Sequence, residues 1–185
     1  MILVSAHFGN FEYAHIYFAA HFNRLNFIVR KLDNAFLERD RIGYNTLANI
    51  NILYREHGLR PAIKNLKEGQ DLVIFPDRKA SLKEGIPCRF FGQKTSTIAV
   101  ACSLSKKYNL PMVPMFITRC KDPLHHKIIF YPMFMADDPD EKRAVQKATQ
   151  HQNDIIEKAI RTYPEQWLWM HQKWKCYHSY LYEKK

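Results

Sequence analysis

The segment SAHFGNFE, residues 5–12, brings together two side chains that can move a proton. His7 and Glu12 lie five positions apart, with Gly9 and Asn10 between them. Five residues of an α-helix turn through roughly 500°, so a shared helix would hold the pair about 140° apart. They can meet if His7 lies in the turn after a strand and Glu12 in the first turn of the next helix. A carboxylate that orients an imidazole and stabilises the imidazolium makes histidine a general base.

The same residues have a plainer interpretation, in which a helix start happens to follow a histidine. Two features favour a built site. Gly9 permits a tight turn, and the positive end of a helix favours the ionised form of Glu12. From the residues of this one segment both interpretations stay open.

Alternating strand-like and helix-like segments predict an α/β sandwich whose first half has parallel strand pairs. Strands are expected at 1–6, 25–31, 51–56, 71–77, 112–119 and 126–135. Helices are expected at 10–22, capped by Asn10 with Phe11, Ala14, Phe18 and Phe22 on the apolar face; at 33–48, capped by Asp33 or Asn34; and at 59–67, 95–109 and 138–163. Residues 78–94 read as a basic loop. Sites of such sheets lie at the carboxyl ends of strands, where His7, Arg30, Arg55 and Asp77 are all predicted to fall.

Composition favours one globular domain with an anionic partner. The 185 residues carry a formal net charge of +10, and 46% of them are hydrophobic. Nucleic acid, an acidic membrane surface, an acidic protein and a phosphorylated substrate all fit this charge. The sequence contains no run of 18 apolar residues, so no membrane-spanning helix is expected. It also contains no metal-ligand spacing and no G-x-S-x-G serine motif. No metal is therefore expected.

An ordered series of motifs resembles the lipid A late acyltransferases, the lauroyl and myristoyl transferases within the lysophospholipid acyltransferase superfamily. HFGNFE resembles their HxGNxE form of the H-x4-D/E signature. The later blocks that match are FIVRKLDNAFL, GLRP, FPDRKAS, EGIPCRFFGQKTST, LPMVPMF and PEQWLWMHQKWK, the last resembling PEQWLWxHxRWK. The resemblance covers nearly the whole chain. The sequence departs from it where Arg78 follows Asp77, since this subgroup usually has glutamine there.

The resemblance implies a three-layer α/β/α sandwich with a mostly parallel mixed sheet, as in glycerolipid acyltransferases. It implies that a fatty acyl chain moves from acyl carrier protein to a hydroxyl of a Kdo-lipid A precursor without an acyl-enzyme or a cofactor. His7 would be the base and Glu12 its orienting partner. The site is expected at the cytoplasmic face of a Gram-negative inner membrane. Residues 1–185 are expected to form one catalytic domain that lacks an amino-terminal anchor.

The remaining candidate residues would bind substrate. Arg30 closes a strand and could grip phosphate bidentately, although a surface pair with Asp33 is the alternative. Asp77 could orient an arginine or accept from a substrate hydroxyl, and Arg78 could contact a phosphorylated sugar or lie in a solvated loop. Arg60 begins a helix, where its charge is unfavourable unless an anion is near. Gly9 and Asn10 complete the candidate substrate-binding set.

Two other functions fit part of this sequence. One is acylation of lysophosphatidate or another glycerolipid, against which the PEQWLW block argues. The other is a basic module without catalysis that binds nucleic acid or a membrane. The aromatic and basic tail after residue 166 would suit either surface, but no nucleic-acid-binding motif appears. We expect Trp167 in the core and the last ten residues at the periphery.

Overall fold

A six-stranded sheet forms the centre of the computed structural model, which describes residues 1–122 and 124–183. The strands are β1 (Ile2–Val4), β2 (Leu25–Val29), β3 (Ile50–Tyr54), β4 (Asp71–Ile74), β5 (Ile86–Phe90), β6 (Gln93–Thr97), β7 (Met112–Arg119) and β8 (His126–Phe130). Across the central sheet the order is β3-β2-β4-β1-β7-β8. The first five of these run parallel to one another, and β8 pairs antiparallel with β7.

Helices cover both faces of this sheet, which confirms the three-layer α/β sandwich. They are α1 (Phe11–His21), α2 (Ala35–Leu47), α3 (Leu59–Lys67), α4 (Val100–Tyr108) and α5 (Glu141–Thr162). Strand β1 shows the layering, because successive side chains of a strand point to opposite faces. Ile2 and Val4 join a core cluster with α3, α4 and α5. Leu3 joins the other cluster, with Ala14 and Phe18 of α1.

The helix starts follow the sequence in part. Asn34 caps α2, since its side-chain oxygen accepts hydrogen bonds from the backbone amides of Phe36 and Leu37 at 2.9 and 3.2 Å. Asn10 occupies the N-cap position of α1, but its side chain makes no capping hydrogen bond with the described residues. Phe22 lies just past the end of α1 and is 63% exposed, so placing it on the buried face was wrong.

The region expected to be a basic loop contains a β-hairpin instead. Strands β5 and β6 pair antiparallel, and Cys88 lies opposite Thr95. Phe90 is buried against Trp167 and Trp174, which anchors the hairpin to the carboxyl-terminal segment. The helix expected from residue 95 therefore starts only at Val100. The three residues at its predicted start are buried strand residues of β6.

The cap of α2 gives a test of this assignment. Asn34→Ala removes both capping contacts and should lower the free energy of unfolding by about 1 kcal/mol, or the melting temperature by about 2–4 °C. Asn10→Ala is the matched control, because that side chain caps nothing and should change stability less. Thermal denaturation followed by circular dichroism measures both. Equal effects of the two substitutions would contradict the assignment.

Candidate active site

A tight turn after β1 presents His7 at the carboxyl end of the central strand. Two backbone hydrogen bonds hold this turn against the carboxyl-terminal segment: the Gly9 amide donates to the Gln166 carbonyl at 2.7 Å, and the Leu168 amide donates to the His7 carbonyl at 2.9 Å. Gly9 has a φ of +55°, and a Cβ there would overlap the carbonyl oxygen of Ile117. The turn thus requires glycine for its conformation and for its close backbone approach.

Asp77 lies three residues beyond the end of the neighbouring strand β4 and directs its carboxylate at this turn. Its Oδ1 lies 3.0 Å from Nδ1 of His7, and its Oδ2 accepts from the His7 backbone amide at 2.8 Å. The indole Nε1 of Trp167 donates to the same Oδ2 at 3.0 Å. Burial by itself raises the pKa of Asp77, but the hydrogen bonds and charge of His7 outweigh it, so the pKa is lowered. The carboxyl group is therefore ionised at neutral pH.

This contact determines which nitrogen of His7 can act as a base. An ionised carboxylate only accepts hydrogen bonds, so the neutral imidazole carries its proton on Nδ1 and donates it to Asp77. Nε2 then holds the free lone pair. The His7 side chain is 18% exposed, whereas that of Asp77 is fully buried. The arrangement is an oriented histidine with a buried acid behind it, a geometry that can support general-base chemistry.

Glu12 lies in the first turn of α1, as the sequence predicts, but it is exposed. Among the described residues its side-chain hydrogen bond comes from the hydroxyl of Tyr44 at 3.4 Å, and none joins it to His7. The acid that contacts the imidazole is thus Asp77, which the sequence suggested as a residue that orients an arginine or binds substrate. The catalytic roles of both acids remain predictions.

The structure places the basic candidates at or near the same sheet edge but does not join them to His7. Arg30 directly follows β2, is exposed, and forms an ion pair with Asp33 through Nη2 at 2.8 and 2.9 Å. Arg78 and Arg60 are also exposed, and within the described ranges their side chains make no hydrogen bond or ion pair. Their substrate roles stay predictions.

Sequence reasoning missed three contributions from the carboxyl-terminal segment. Trp167 is buried as expected, but its indole N–H also binds Asp77. The ring of His171 packs edge-on to His7 with centroids 4.6 Å apart. Burial lowers the pKa of His171, and the charge of His7 lowers it further. Lys173 is completely buried. The motif PEQWLWMHQKWK was the signal for these residues, but its aromatic and basic character suggested a core residue followed by a peripheral tail.

The part of the chain that the structure describes contains no cluster of metal ligands, and the thiols of Cys88 and Cys102 are buried. No group of three or more His, Cys, Asp or Glu side chains there could hold a metal ion. Burial raises the pKa of the Cys102 thiol to about 11 and also raises that of Cys88. Both buried cysteines are therefore protonated at neutral pH and are poor nucleophiles.

Comparison with known proteins identifies the family of the chain. A model of the family described as bacterial lipid A biosynthesis acyltransferase matches residues 1–176. The chain belongs to this family. In this member of the family, the histidine of the H-x4-E motif is hydrogen-bonded to Asp77, an acid 70 residues away in the sequence, and not to the glutamate of the motif.

Curated relatives of this chain include two bacterial proteins. A lipid A biosynthesis acyltransferase of Haemophilus influenzae is 23% identical over 117 residues, which are 63% of this chain and 35% of the relative. A lipid A biosynthesis palmitoleoyltransferase of Escherichia coli strain K12 is 28% identical over 120 residues, 64% of this chain and 38% of the relative. The matches thus span little more than a third of each relative's length.

A solved structure has the same fold as this chain. It is the 1-acyl-sn-glycerophosphate acyltransferase PlsC from Thermotoga maritima, with a TM-score of 0.55 and 14% sequence identity. The superposition covers 91% of this chain and 68% of that one. The match confirms the expected α/β acyltransferase fold, including its mostly parallel sheet.

The turn that carries His7 should be intolerant of any side chain at Gly9. Gly9→Ala forces a left-handed backbone on alanine and drives its Cβ into Ile117, so the free energy of unfolding should fall by about 2 kcal/mol or more. Gly43→Ala is the matched control. Gly43 lies within α2 with open space around it, and alanine there should stabilise the protein by about 0.5–1 kcal/mol. Urea denaturation measures both, and a neutral Gly9→Ala would refute the tight turn.

Proposed function

We propose that this protein transfers a fatty acyl chain from acyl carrier protein to a hydroxyl of a lipid A precursor. The observation that carries the proposal is the His7–Asp77 pair, which lies at the carboxyl edge of a parallel sheet in a chain of this family. A base oriented by a buried acid suits activation of a hydroxyl, which is too weak a nucleophile when protonated.

The reaction follows from the free lone pair on Nε2 of His7. Nε2 removes the proton of the acceptor hydroxyl as its oxygen attacks the thioester carbonyl carbon. A carbon–oxygen bond forms, the carbon–sulfur bond breaks, and the sulfur takes the proton that the imidazolium returns and leaves as a thiol. No acyl-enzyme intermediate or cofactor is needed. Asp77 stabilises the imidazolium between these two proton transfers, because its buried charge lies 3.0 Å from Nδ1.

Positive charge supports the choice of both substrates. The chain carries 28 lysine and arginine residues against 18 acidic ones. Such a surface attracts acidic acyl carrier protein and the phosphate groups of a lipid A precursor. Arg30 follows the strand next to β4, so its guanidinium is our candidate phosphate ligand, with Arg78 and Arg60 as further candidates. The Arg30–Asp33 pair is exposed, and a phosphate can therefore displace Asp33 at little cost.

The acceptor lipid implies work at an anionic membrane surface, and we place the protein at the cytoplasmic face of the inner membrane. In the described residues no helix is long and apolar enough to cross a bilayer. A groove of about 700 Å³ runs between α1 and the β7–β8 pair. Its rim exposes Tyr13, Tyr17, Phe22 and Phe130, and tyrosine favours the membrane–water boundary. This surface supports peripheral contact with lipid.

The base and its partner can be identified by substitution. His7→Ala should reduce transfer from acyl carrier protein to a Kdo-lipid A precursor by about 10²- to 10⁴-fold, as read by mass spectrometry. Asp77→Asn should be comparably impaired, because the imidazolium loses its charged neighbour. If both act as one unit, the double variant is little worse than His7→Ala. Circular dichroism of each variant controls for folding.

Glu12 is tested in the same assay. If Glu12 acts apart from His7, the losses of Glu12→Gln and Asp77→Asn should multiply in the double variant. Two other double variants, each containing His7→Ala, could reverse the assignment. If the loss of Glu12→Gln does not multiply with that of His7→Ala, whereas the loss of Asp77→Asn does, Glu12 is restored as the orienting acid. Wild-type activity on lysophosphatidate alone would instead favour a glycerolipid acyltransferase, and no transfer to either acceptor would favour a non-catalytic binding module.

The phosphate role of Arg30 has a closely matched control. Arg30→Ala should raise KM for a phosphorylated acceptor about tenfold or more while changing KM for acyl carrier protein little. Arg30→Lys should recover only part, because an ammonium lacks the bidentate fork. Arg39 is equally exposed and also forms an ion pair with a neighbouring aspartate, Asp40. Arg39→Ala should leave both KM values unchanged. Equal losses on phosphorylated and dephosphorylated acceptors would refute the role.

A further inference from the structure

Lys173 is a completely buried lysine whose ammonium group holds the loop that carries Asp77. Its Nζ donates to the carbonyl oxygen of Pro76 at 2.9 Å, to Oγ1 of Thr97 at 3.1 Å and to the carbonyl oxygen of Arg78 at 3.5 Å. An ammonium has three protons and no lone pair, so three acceptors satisfy it completely. Two of these acceptors are the carbonyls immediately before and after Asp77.

A charge in this position is unfavourable unless its contacts compensate for lost hydration. Burial lowers the pKa of Lys173 to about 8, while the negative charge of Asp77 acts in the opposite direction. The ammonium also lies 5.5 Å from the centre of the Phe90 ring, where cation–π attraction contributes. A methionine or leucine would fill the same space without desolvating a charge. What lysine adds is a group that grips two carbonyls at once.

The lysine is itself fixed from the hairpin side. Oγ1 of Thr95 donates to the Lys173 carbonyl at 2.7 Å, and Nε1 of Trp174 donates to the Phe90 carbonyl at 3.0 Å. The ammonium therefore links β6 to the loop after β4. On the other side of that loop, Trp167 donates to Asp77 itself. The carboxylate is thus held from the carboxyl-terminal segment both directly and through its flanking backbone.

We propose that Lys173 is a positioning residue for the acyl transfer, because its grip on both neighbours of Asp77 keeps that carboxylate aligned with Nδ1 of His7. It contacts neither the reacting atoms nor, by its complete burial, a substrate. The inference rests on the proposed function, since it takes His7 as the base. Misplacement of a catalytic group by about 1 Å can reduce a rate about 10²-fold without changing substrate contacts.

The test combines kinetics with a signal that does not depend on turnover. Lys173→Met keeps a long buried side chain and deletes the three donors. We expect kcat to fall about 10- to 100-fold with KM for both substrates within about twofold of wild type. In proton NMR, the far-downfield signal of the His7 Nδ1–H, assigned by its loss in His7→Ala, should shift or broaden. Lys175→Met, in the same segment, removes an equal charge and should leave rate and signal unchanged.

A second pair of variants keeps the proposal testable if Lys173→Met does not fold. Thr97→Val deletes one acceptor of the ammonium at nearly constant volume and should reduce kcat about three- to tenfold with the same direction of change in the NMR signal. Thr97→Ser retains the hydroxyl and should restore most of both. A folded Lys173→Met or Thr97→Val with unchanged signal and kcat would overturn the positioning role, as would a loss confined to KM. Wild-type protein that transfers no acyl group would refute the proposed function, while the NMR comparison would still report on Lys173.

Discussion

The buried carboxylate of Asp77 is the group on which the arrangement of the site depends. An ionised carboxylate inside a protein is unfavourable unless donors surround it. Here the donors are the imidazole and backbone amide of His7 and the indole of Trp167, so they come from residues near both ends of the chain. The two contacts from His7 that help to make the buried charge of Asp77 tolerable also orient the His7 imidazole. Stability of the fold and alignment of the site are therefore satisfied by one set of hydrogen bonds.

Much of the framework was predictable from the sequence, because strand and helix periodicity is local. The parallel sheet and the positions of His7 and Asp77 after their strands follow from such patterns. The choice of acid does not. Glu12 is near His7 in the sequence, but the order β4-β1 in the sheet brings Asp77 next to it. Partners 70 and 90 residues apart leave no periodic signal.

The missed hairpin has a different physical cause. Tight hairpins are usually recognised by Asn-Gly or Asp-Gly, since both central residues need a positive φ. Here Phe91 and Gly92 make the turn with φ values of 50° and 73°. A phenylalanine in the left-handed region is uncommon, so the sequence carried no hairpin signal here and predicted a basic loop instead. Tertiary contacts compensate for the unfavourable backbone conformation of Phe91. Its backbone amide donates to the Glu157 carboxylate, and the Arg161 guanidinium lies over its ring.

The backbone pairing of the His7 turn with residues 166–168 also orders events during synthesis. On the ribosome, strands β1 to β4 emerge long before Trp167, and their parallel pairing can form while the carboxyl-terminal segment is still untranslated. His7 and Asp77 are then adjacent, but the indole donor and the two backbone clamps have not been made. The contact between His7 and Asp77 can therefore form early in translation, whereas the hydrogen bonds that hold both residues in place form only after residues 166–168 have been made.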